Sequence, residues 1–469
     1  MKALFILIIS FSTFSFVKGQ TWWGSSGNPN NGITINWFGT GTNDSIQWGF
    51  SPLLEKGKFP AIQRIGISGY FYSYIFQGQM NDSIIYYSIY NSSLDTQDTI
   101  QTFKLPVNSE NNCYSFNVMG DSRSNYTTWG QIALLADRHK TDFSIHLGDV
   151  VDDGTNLSSW TQWFNSGITF LNNNLVYYCV GNHEANDTSL YQNIFTLPNS
   201  QNTELYYSFE YGNAVFICLN SEYVTNEETQ WLYSTLQNYL NKTWKILFFH
   251  RPFYSIGYHI GEMDAYMDTW WKAFDSVGVD LILSGHEHMY ERTKPINYTV
   301  SPYAPVSGYG SNYGQGRCEI VSGGAGGPLY AGTPDIFTQA YAPLNHICKI
   351  SICGNTLVDS TFSLTDSLID TFVLDKTNSI SGNKYKEDEL KIFPNPVNES
   401  ISLQLNNNYY GNVKVEIIRS DGKKLKSINF NKSSNILNTQ LDLQSLSEGM
   451  YILKATFDQK ELKTTFIKK

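Results

Sequence analysis

At 469 residues the chain exceeds one ordinary domain, and its 41% apolar content can fill more than one core. The formal net charge is −10, from 32 Lys and Arg against 42 Asp and Glu. With no basic patch and no basic amphipathic helix, that balance excludes a general nucleic-acid or membrane-surface binder. An anionic ligand must then be drawn in by something local and positive.

Met1-Lys2, an apolar run from Ala3 to Val17 and then Lys18-Gly19 have the order of a secretory signal over residues 1–19, with cleavage expected near Gly19 or Gln20. The run is shorter than the roughly 20 residues a bilayer span needs. No other segment is apolar enough to be a transmembrane span. The six cysteines therefore enter an oxidising compartment. Cys348 and Cys353 are close enough for a local bridge. Cys179 and Cys218 lie in apolar runs, where free buried thiols fit at least as well.

Residues 20–108 read as an all-β sandwich. Ile33-Thr34-Ile35-Asn36-Trp37 and Ser45-Ile46-Gln47-Trp48-Gly49 alternate apolar and polar, as half-buried strands do. Aromatic, β-branched stretches at 68–76 and 84–89 add two more strands. No chemistry is expected here, and the tryptophans and tyrosines are read as packing.

Residues 109–372 change to a repeated order of strand, polar turn and helix. The strand Cys113–Met119 leads into Gly120-Asp121-Ser122-Arg123, with a helix over about 128–139. A strand at 143–147 leads into Gly148-Asp149-Val150-Val151-Asp152, with a helix over about 158–171. A strand at 175–180 leads into Gly181-Asn182-His183-Glu184. A hairpin over 205–219 and a helix near 227–240 follow. A strand at 244–249 ends at His250, a helix is expected near 264–277, and the run 279–284 ends in Gly285-His286-Glu287-His288. Ligands gather outside the carboxyl ends of strands in open α/β sheets. Five strand ends with Asp, Asp, Asn-His, His and His-x-His are too ordered for turn punctuation. They form a metal site whose mixed O and N donors suit zinc, manganese or iron rather than a calcium cage. Asp149 can bridge two ions in the arrangement that serves in-line displacement at phosphorus. His183 directly follows Asn182 and is better placed on the substrate or leaving group. His139, His146 and His346 are read as structural, Asp153 and Glu287 as solvated or supporting groups, and the glycine-rich stretch 323–327 as a tight turn near the site.

Residues 373–388 are a polar linker, and 389–469 form a second small β-sandwich, with strand stretches expected near 390–396, 401–405, 413–418, 449–454 and 465–469.

The series Gly120-Asp121, Gly148-Asp149, Gly181-Asn182-His183-Glu184, His250 and Gly285-His286-Glu287-His288 resembles the calcineurin-like metallophosphoesterase superfamily. Phe249-His250-Arg251-Pro252-Phe253-Tyr254, with Tyr258-His259-Ile260-Gly261-Glu262 and His288-Met289-Tyr290-Glu291-Arg292, resembles the purple acid phosphatases within it. The resemblance covers about residues 25–370. It implies an α/β fold, a double β-sheet sandwich flanked by helices, preceded by a fibronectin-like β-sandwich. It also implies a cofactor of two metal ions, drawn from Fe, Zn or Mn, and hydrolysis of small phosphomonoesters by a metal-bound hydroxide. One ion takes Asp121, Asp149 and His288; the other takes Asp149, Asn182, His250 and His286. His183 and His259 match the histidines that contact phosphate and leaving group. Three positions depart from the pattern, one of them Ile260, where the family has a second histidine after His259. Asp152 stands where the family's colour-giving tyrosine would be, and Arg123 where the wider superfamily often has a histidine. Asp152, a nearby loop residue or water fills the gap at the first ion. Arg123 either holds the substrate phosphate as a bidentate donor or is an exposed structural arginine. Alternative readings are a phosphodiesterase or nucleotidase with the same ligands, or a surface-binding protein weakened in catalysis by the Asp152 and Arg123 changes.

Phe393-Pro394-Asn395-Pro396, Gly449-Met450-Tyr451 and Lys468-Lys469 resemble the sorting domains of type IX secretion. This implies the secretion machinery as a partner, export through the periplasm, and a secreted or cell-surface protein.

Overall fold

In the computed structural model the site is built where two β-sheets of residues 113–376 bring their strand ends together. The structure describes residues 20–25, 32–66, 69–76, 83–105, 113–198, 203–302, 304–310, 315–376, 389–407, 409, 411–419, 421–432, 436–458 and 460–469. The expected signal segment, 1–19, and most of the linker lie outside them. The chain divides into two units, Met1–Ser379 and Ile380–Lys469.

The first sheet of the larger unit has six strands. We label three of them β1 (Cys113–Met119), β2 (Phe143–His146) and β3 (Val176–Tyr178). They run parallel in the order β3-β2-β1 and are continued by the antiparallel strands His346–Cys353, Thr356–Ser363 and Leu368–Asp375. The second sheet has seven strands, with β4 (Trp244–Phe248) and β5 (Leu281–Ser284) parallel neighbours at its centre. Every residue of β2, β3, β4 and β5 is buried. Continuous apolar runs of this sort belong to parallel strands covered on both faces.

Helix α1 (Tyr126–Arg138) and helix α2 (Leu157–Leu171) follow β1 and β2 as expected. Asn125 and Asn156 cap them, each side chain accepting a first-turn amide. Trp129 of α1 stacks on Trp163 of α2 with ring centroids 5.1 Å apart. The segment at 264–277 is helical but uneven. A 3-10 turn, Asp264–Tyr266, and a wider π turn, Met267–Trp271, precede regular helix at Lys272–Val277. That irregularity puts Trp270 and Trp271, adjacent in sequence, both into the core at 0% exposure.

The N-terminal strands make two antiparallel sheets. One runs Thr21–Ser25, Ile33–Gly39, Tyr70–Ile75, Ile62–Ile65; the other includes Ser45–Gly49 and Ile84–Asn91. Trp23 stacks on Phe103 between them at 3.7 Å. Trp22 reaches onward, packing on Phe164 of α2 at 4.4 Å and donating its indole N–H to the Ile194 carbonyl at 2.9 Å. One apolar core thus runs from Trp22 to Leu374 without a break at residue 108.

The disulfide joins Cys113 to Cys353, with Cα atoms 4.0 Å apart. The local Cys348–Cys353 bridge that sequence proximity allowed is not formed. Those two residues lie on one strand, an odd number apart, so they face opposite sides of the sheet and roughly 16 Å of extended chain separates them. Cys113 instead sits directly opposite Cys353 across the antiparallel pair. Cys179, Cys218, Cys318 and Cys348 are free and buried.

Glu228 carries a testable consequence. Its Oε1 accepts the Asn220 amide at 2.7 Å while its own amide is capped by Thr225. Burial pushes the carboxyl from an ordinary 4.5 up to about 8. The folded chain therefore keeps a proton that the unfolded chain releases across that interval, so this group's contribution to stability falls as pH rises from about 4.5 to 8. A tenfold change in proton affinity is worth about 1.4 kcal/mol, and after solvent relaxation the effect is of order 1–3 kcal/mol. Melting curves at about pH 5.5 and 8.5, on either side of most of that interval, are expected to differ less for Glu228→Gln than for the parent. Equal differences would show that the carboxyl does not titrate as stated.

The smaller unit is a β-sandwich of a three-stranded and a four-stranded sheet. Two of its strands, Lys424–Lys432 and Ile436–Asp442, were not anticipated from sequence. Its core includes Ile401, Leu403, Val415, Ile417, Leu453 and Phe466.

Candidate metal centre

The turns after β1 to β5 carry the expected side chains to one place. Asp121, Asp149 and His286 have φ of 60°, 50° and 68°. A left-handed backbone is uncommon for any residue with a Cβ, least so for Asp. Three such residues at three strand ends mark strain held for function. Gly148 has φ 83°, and a Cβ there would press on Gly181 and the His250 ring, so only glycine lets these turns approach.

Four donors converge in one half of the site. His250 Nε2 lies 3.1 Å from Asn182 Oδ1, 3.3 Å from Asp149 Oδ1 and 3.1 Å from His286 Nδ1. The opposite ring nitrogens are engaged outward. His250 Nδ1 donates to the Leu147 carbonyl at 2.7 Å, and His286 Nε2 donates to Glu262 at 3.1 Å. Such outer partners orient each ring so that its other nitrogen faces the centre. Burial, then the charges of His250 and Arg251, push the His286 imidazole well below its ordinary pKa, which keeps it neutral and competent as a ligand. Burial opposes charge on His250, but Asp149 outweighs it and holds that ring at about 10. Asp149 in turn stays well below the usual carboxylate range: burial would raise it, and His250 and then His183 pull it down. Two oxygens and two imidazole nitrogens at this spacing fit one Zn, Mn or Fe ion.

The other half holds Asp121, Asp149 and His288, whose donor atoms lie within 4.8 Å of one another. His288 Nε2 is 3.5 Å from Asp121 Oδ1, and His288 Nδ1 donates to the Pro328 carbonyl at 2.8 Å. Burial lowers the His288 ring's affinity for a proton, but Asp121 reverses this and raises its pKa. Asp121 Oδ2 accepts the His286 amide at 2.9 Å, while its Oδ1 is buried without a hydrogen-bond partner.

His183 and His259 flank the donors. His183 Nδ1 donates to the Asp152 carbonyl at 2.6 Å, which turns Nε2 to within 3.7 Å of Asp149 Oδ2. The His259 ring lies 4.1 Å from that of His286, with Nδ1 3.3 Å from Glu287. Arg123 is not an exposed structural arginine. Its Nε donates to Asp149 Oδ2 at 3.1 Å, and Nη2 is 3.3 Å from His288 Nε2. Asp152 does not turn inward. Its oxygens accept from Ser124 N at 3.1 Å, Ser124 Oγ at 2.6 Å and Tyr126 Oη at 3.2 Å, and its side chain is 42% exposed.

Of the supporting residues, Glu184 and Ser122 were not anticipated, whereas Glu287 takes the supporting one of its two expected roles. Glu184 is fully buried and accepts the amides of Asp149, Val151 and Gly181, each at 3.1 Å. Glu287 is likewise fully buried and is not solvated. It accepts from Tyr258 N, His259 N and the Tyr330 hydroxyl at 3.0, 2.6 and 2.5 Å. Ser122 donates to the Val150 carbonyl and accepts the Trp163 indole at 2.7 Å, tying the Asp121 turn to α2. A glutamate inside Asn-His-Glu or His-Glu-His was the available signal, since a carboxylate between ligands must be buried with them. His139, His146 and His346 fall in none of the donor clusters found among the described residues. The glycine-rich stretch 323–327 packs over the site as a turn, with Gly327 N donating to the Asp121 carbonyl at 2.7 Å.

Comparison with known proteins places the domain that carries this site. Residues 114–290 match the calcineurin-like phosphoesterase family, and 391–469 match the secretion system C-terminal sorting domain. The chain is 28% identical over 225 residues to probable inactive purple acid phosphatase 1 of Arabidopsis thaliana, covering 42% of this chain and 36% of that protein. It is 32% identical over 143 residues to purple acid phosphatase 23 of the same plant, covering 27% and 31%. Against acid phosphatase type 7 of Mus musculus it is 30% identical over 174 residues, covering 32% and 39%. The chain thus spans about a third of the length of the curated relatives it matches. Among solved structures, purple acid phosphatase PPD1 from yellow lupin (Lupinus luteus) seeds shares the fold, with TM-score 0.64 and 17% identity over 76% of this chain and 74% of that one. PhoD superposes with TM-score 0.59 at 12% identity, over 76% of this chain and 90% of that one. The chain carries a calcineurin-like phosphoesterase domain with purple acid phosphatase homologues, followed by a secretion-system C-terminal sorting domain.

Proposed function

We propose that the chain is a metal-dependent phosphoric ester hydrolase, acting on small phosphomonoesters in the manner of an acid phosphatase. The observation that carries it is the convergence of Asp149, Asn182, His250 and His286 on one point, with two more histidines at its rim. An ion held there supplies Lewis-acid stabilisation of the phosphoryl group and activates water for in-line attack. The protein's own groups complete the site. Arg123 presents guanidinium N–H donors beside Asp149, where they can bind phosphoryl oxygens. His183, locked through Nδ1 on the Asp152 carbonyl, keeps Nε2 for a proton passed to the leaving alkoxide. His259, 39% exposed, stands at the rim where a leaving group departs. The sorting domain supports export by the type IX machinery, with the phosphoesterase domain working at the cell surface or beyond it. Among the described residues no helix is long and apolar enough to cross a membrane.

Purified protein is expected to hydrolyse p-nitrophenyl phosphate in preference to its bis-ester, to lose turnover on chelation and to regain it on adding Zn, Mn or Fe. His183→Ala is expected to lower kcat about 10²–10⁴-fold. Protein that holds a stoichiometric ion yet turns over neither ester would overturn the reading. Preference for the bis-ester would make it a phosphodiesterase.

A further inference from the structure

We infer that Arg123 stands in for one of the two cations, so that the site takes a single metal ion beside a guanidinium. The inference rests on the phosphoesterase reading and concerns the half of the site formed by Asp121, Asp149 and His288. An ion there needs an oxygen of Asp149 and the inner nitrogen of His288. Both face Arg123 instead, with Nε 3.1 Å from Asp149 Oδ2 and Nη2 3.3 Å from His288 Nε2. His288 Nδ1 is spent on the Pro328 carbonyl, so the ring has no other nitrogen to offer. Nη1 is held by Ser124 Oγ at 3.1 Å, with Asp152 at 4.0 Å, and the side chain is 19% exposed. The guanidinium is therefore fixed on three sides and lies between the very groups that would bind the ion. The other half has four donors converging on one point with no guanidinium between them; Arg251 Nη1 reaches only the outer nitrogen, His286 Nε2, at 3.3 Å.

The exchange has a chemical logic. Arginine is always protonated, planar and rich in donors, so it keeps a positive charge beside Asp149 without a metal. It places one charge where a divalent ion would place two. It also leaves free N–H edges for a phosphate, which a fully ligated ion would not. Asp121 Oδ1, buried without a hydrogen-bond partner 3.5 Å from His288 Nε2, marks where an ion would anchor once the guanidinium is gone.

The test counts ions. The full chain is loaded with excess Mn²⁺, desalted and measured by plasma mass spectrometry and by electron paramagnetic resonance. The parent is expected to hold about one ion, with the signal of isolated Mn²⁺. Arg123→His, which restores a ligand-type side chain, and Arg123→Ala, which only clears the space, are expected to approach two ions, with the exchange-coupled signal of a close pair. Two ions in the parent would overturn the inference while leaving the phosphoesterase reading intact. Both variants remaining at one ion would also overturn it, because the arginine would not be what excludes the second. A parent that binds no ion at all would sink the underlying reading instead.

Discussion

Asp149→Asn is expected to lower kcat/KM by roughly 10³-fold or more and to release the bound ion, while the fold survives. Asp149 is the one residue shared by every part of the site. Its Oδ2 takes the Arg123 Nε at 3.1 Å, and its Oδ1 takes the His183 amide at 3.0 Å and faces His250 Nε2 at 3.3 Å. Asparagine keeps the shape, and it tolerates the φ of 50° that this turn requires. What it removes is the charge, and it puts an NH₂ group against N–H donors on one side. His250 shows how much that charge does. Its ring is 0% exposed, yet Asp149 holds it at about 10 against burial. Without the carboxylate the strongest influence that keeps the ring charged is gone, and its pKa falls. The cation then loses its anionic ligand, and Arg123 loses its anchor. Turnover, ion content and melting temperature read these separately. Activity within about tenfold of the parent, with the ion retained, would remove Asp149 from the centre.

Much of the site was legible because ligand chemistry is written locally. A parallel strand ends, a glycine turns, and the next residue faces the cleft. Asp121, Asp149, Asn182, His250 and His286 sit at such strand ends, so sequence order was enough to group them. What was not legible depends on three-dimensional neighbours. Arg123 is two residues past Asp121, a spacing that says nothing of whether the guanidinium points to solvent or to His288, 165 residues away. The Cys113–Cys353 bridge follows from strand register across 240 residues, and proximity in sequence pointed to the wrong partner. The N-terminal sandwich was recognisable from alternation, but its shared core with α2 is a matter of Trp22 reaching Phe164. Strands such as Lys424–Lys432, mostly polar on one side and lysine-rich, lack the apolar run that exposed the others.

Glu184→Ala is expected to destabilise the larger unit by about 3–5 kcal/mol and to abolish turnover, although Glu184 binds neither ion nor substrate. Its two oxygens accept three backbone amides, of Asp149, Val151 and Gly181, all at 3.1 Å and all buried. Each buried donor left unpaired costs about 1–3 kcal/mol. Among the described residues these three amides have no other side-chain acceptor, and the Gly154 loop packs directly on the Glu184 backbone. Burial and then the neighbouring Asp149 charge push this carboxyl up to about 8, which is a measure of what holding an acid here costs. The return is geometric. One carboxyl ties the turn after β2 to the turn after β3, and so sets Asp149 against Asn182 and His183. Glu184→Gln tests this reading against a simple charge effect. The amide oxygen can still accept two of the three N–H groups, but its NH₂ meets the third donor, so stability is expected to fall by about half as much as in the alanine variant. If charge alone mattered, the glutamine variant would be the more stable one above about pH 8, where the parent carboxyl is ionised at this cost. Chemical denaturation of parent and both variants decides it. A glutamine variant at least as stable as the parent would show that the clamp is not what holds the site together.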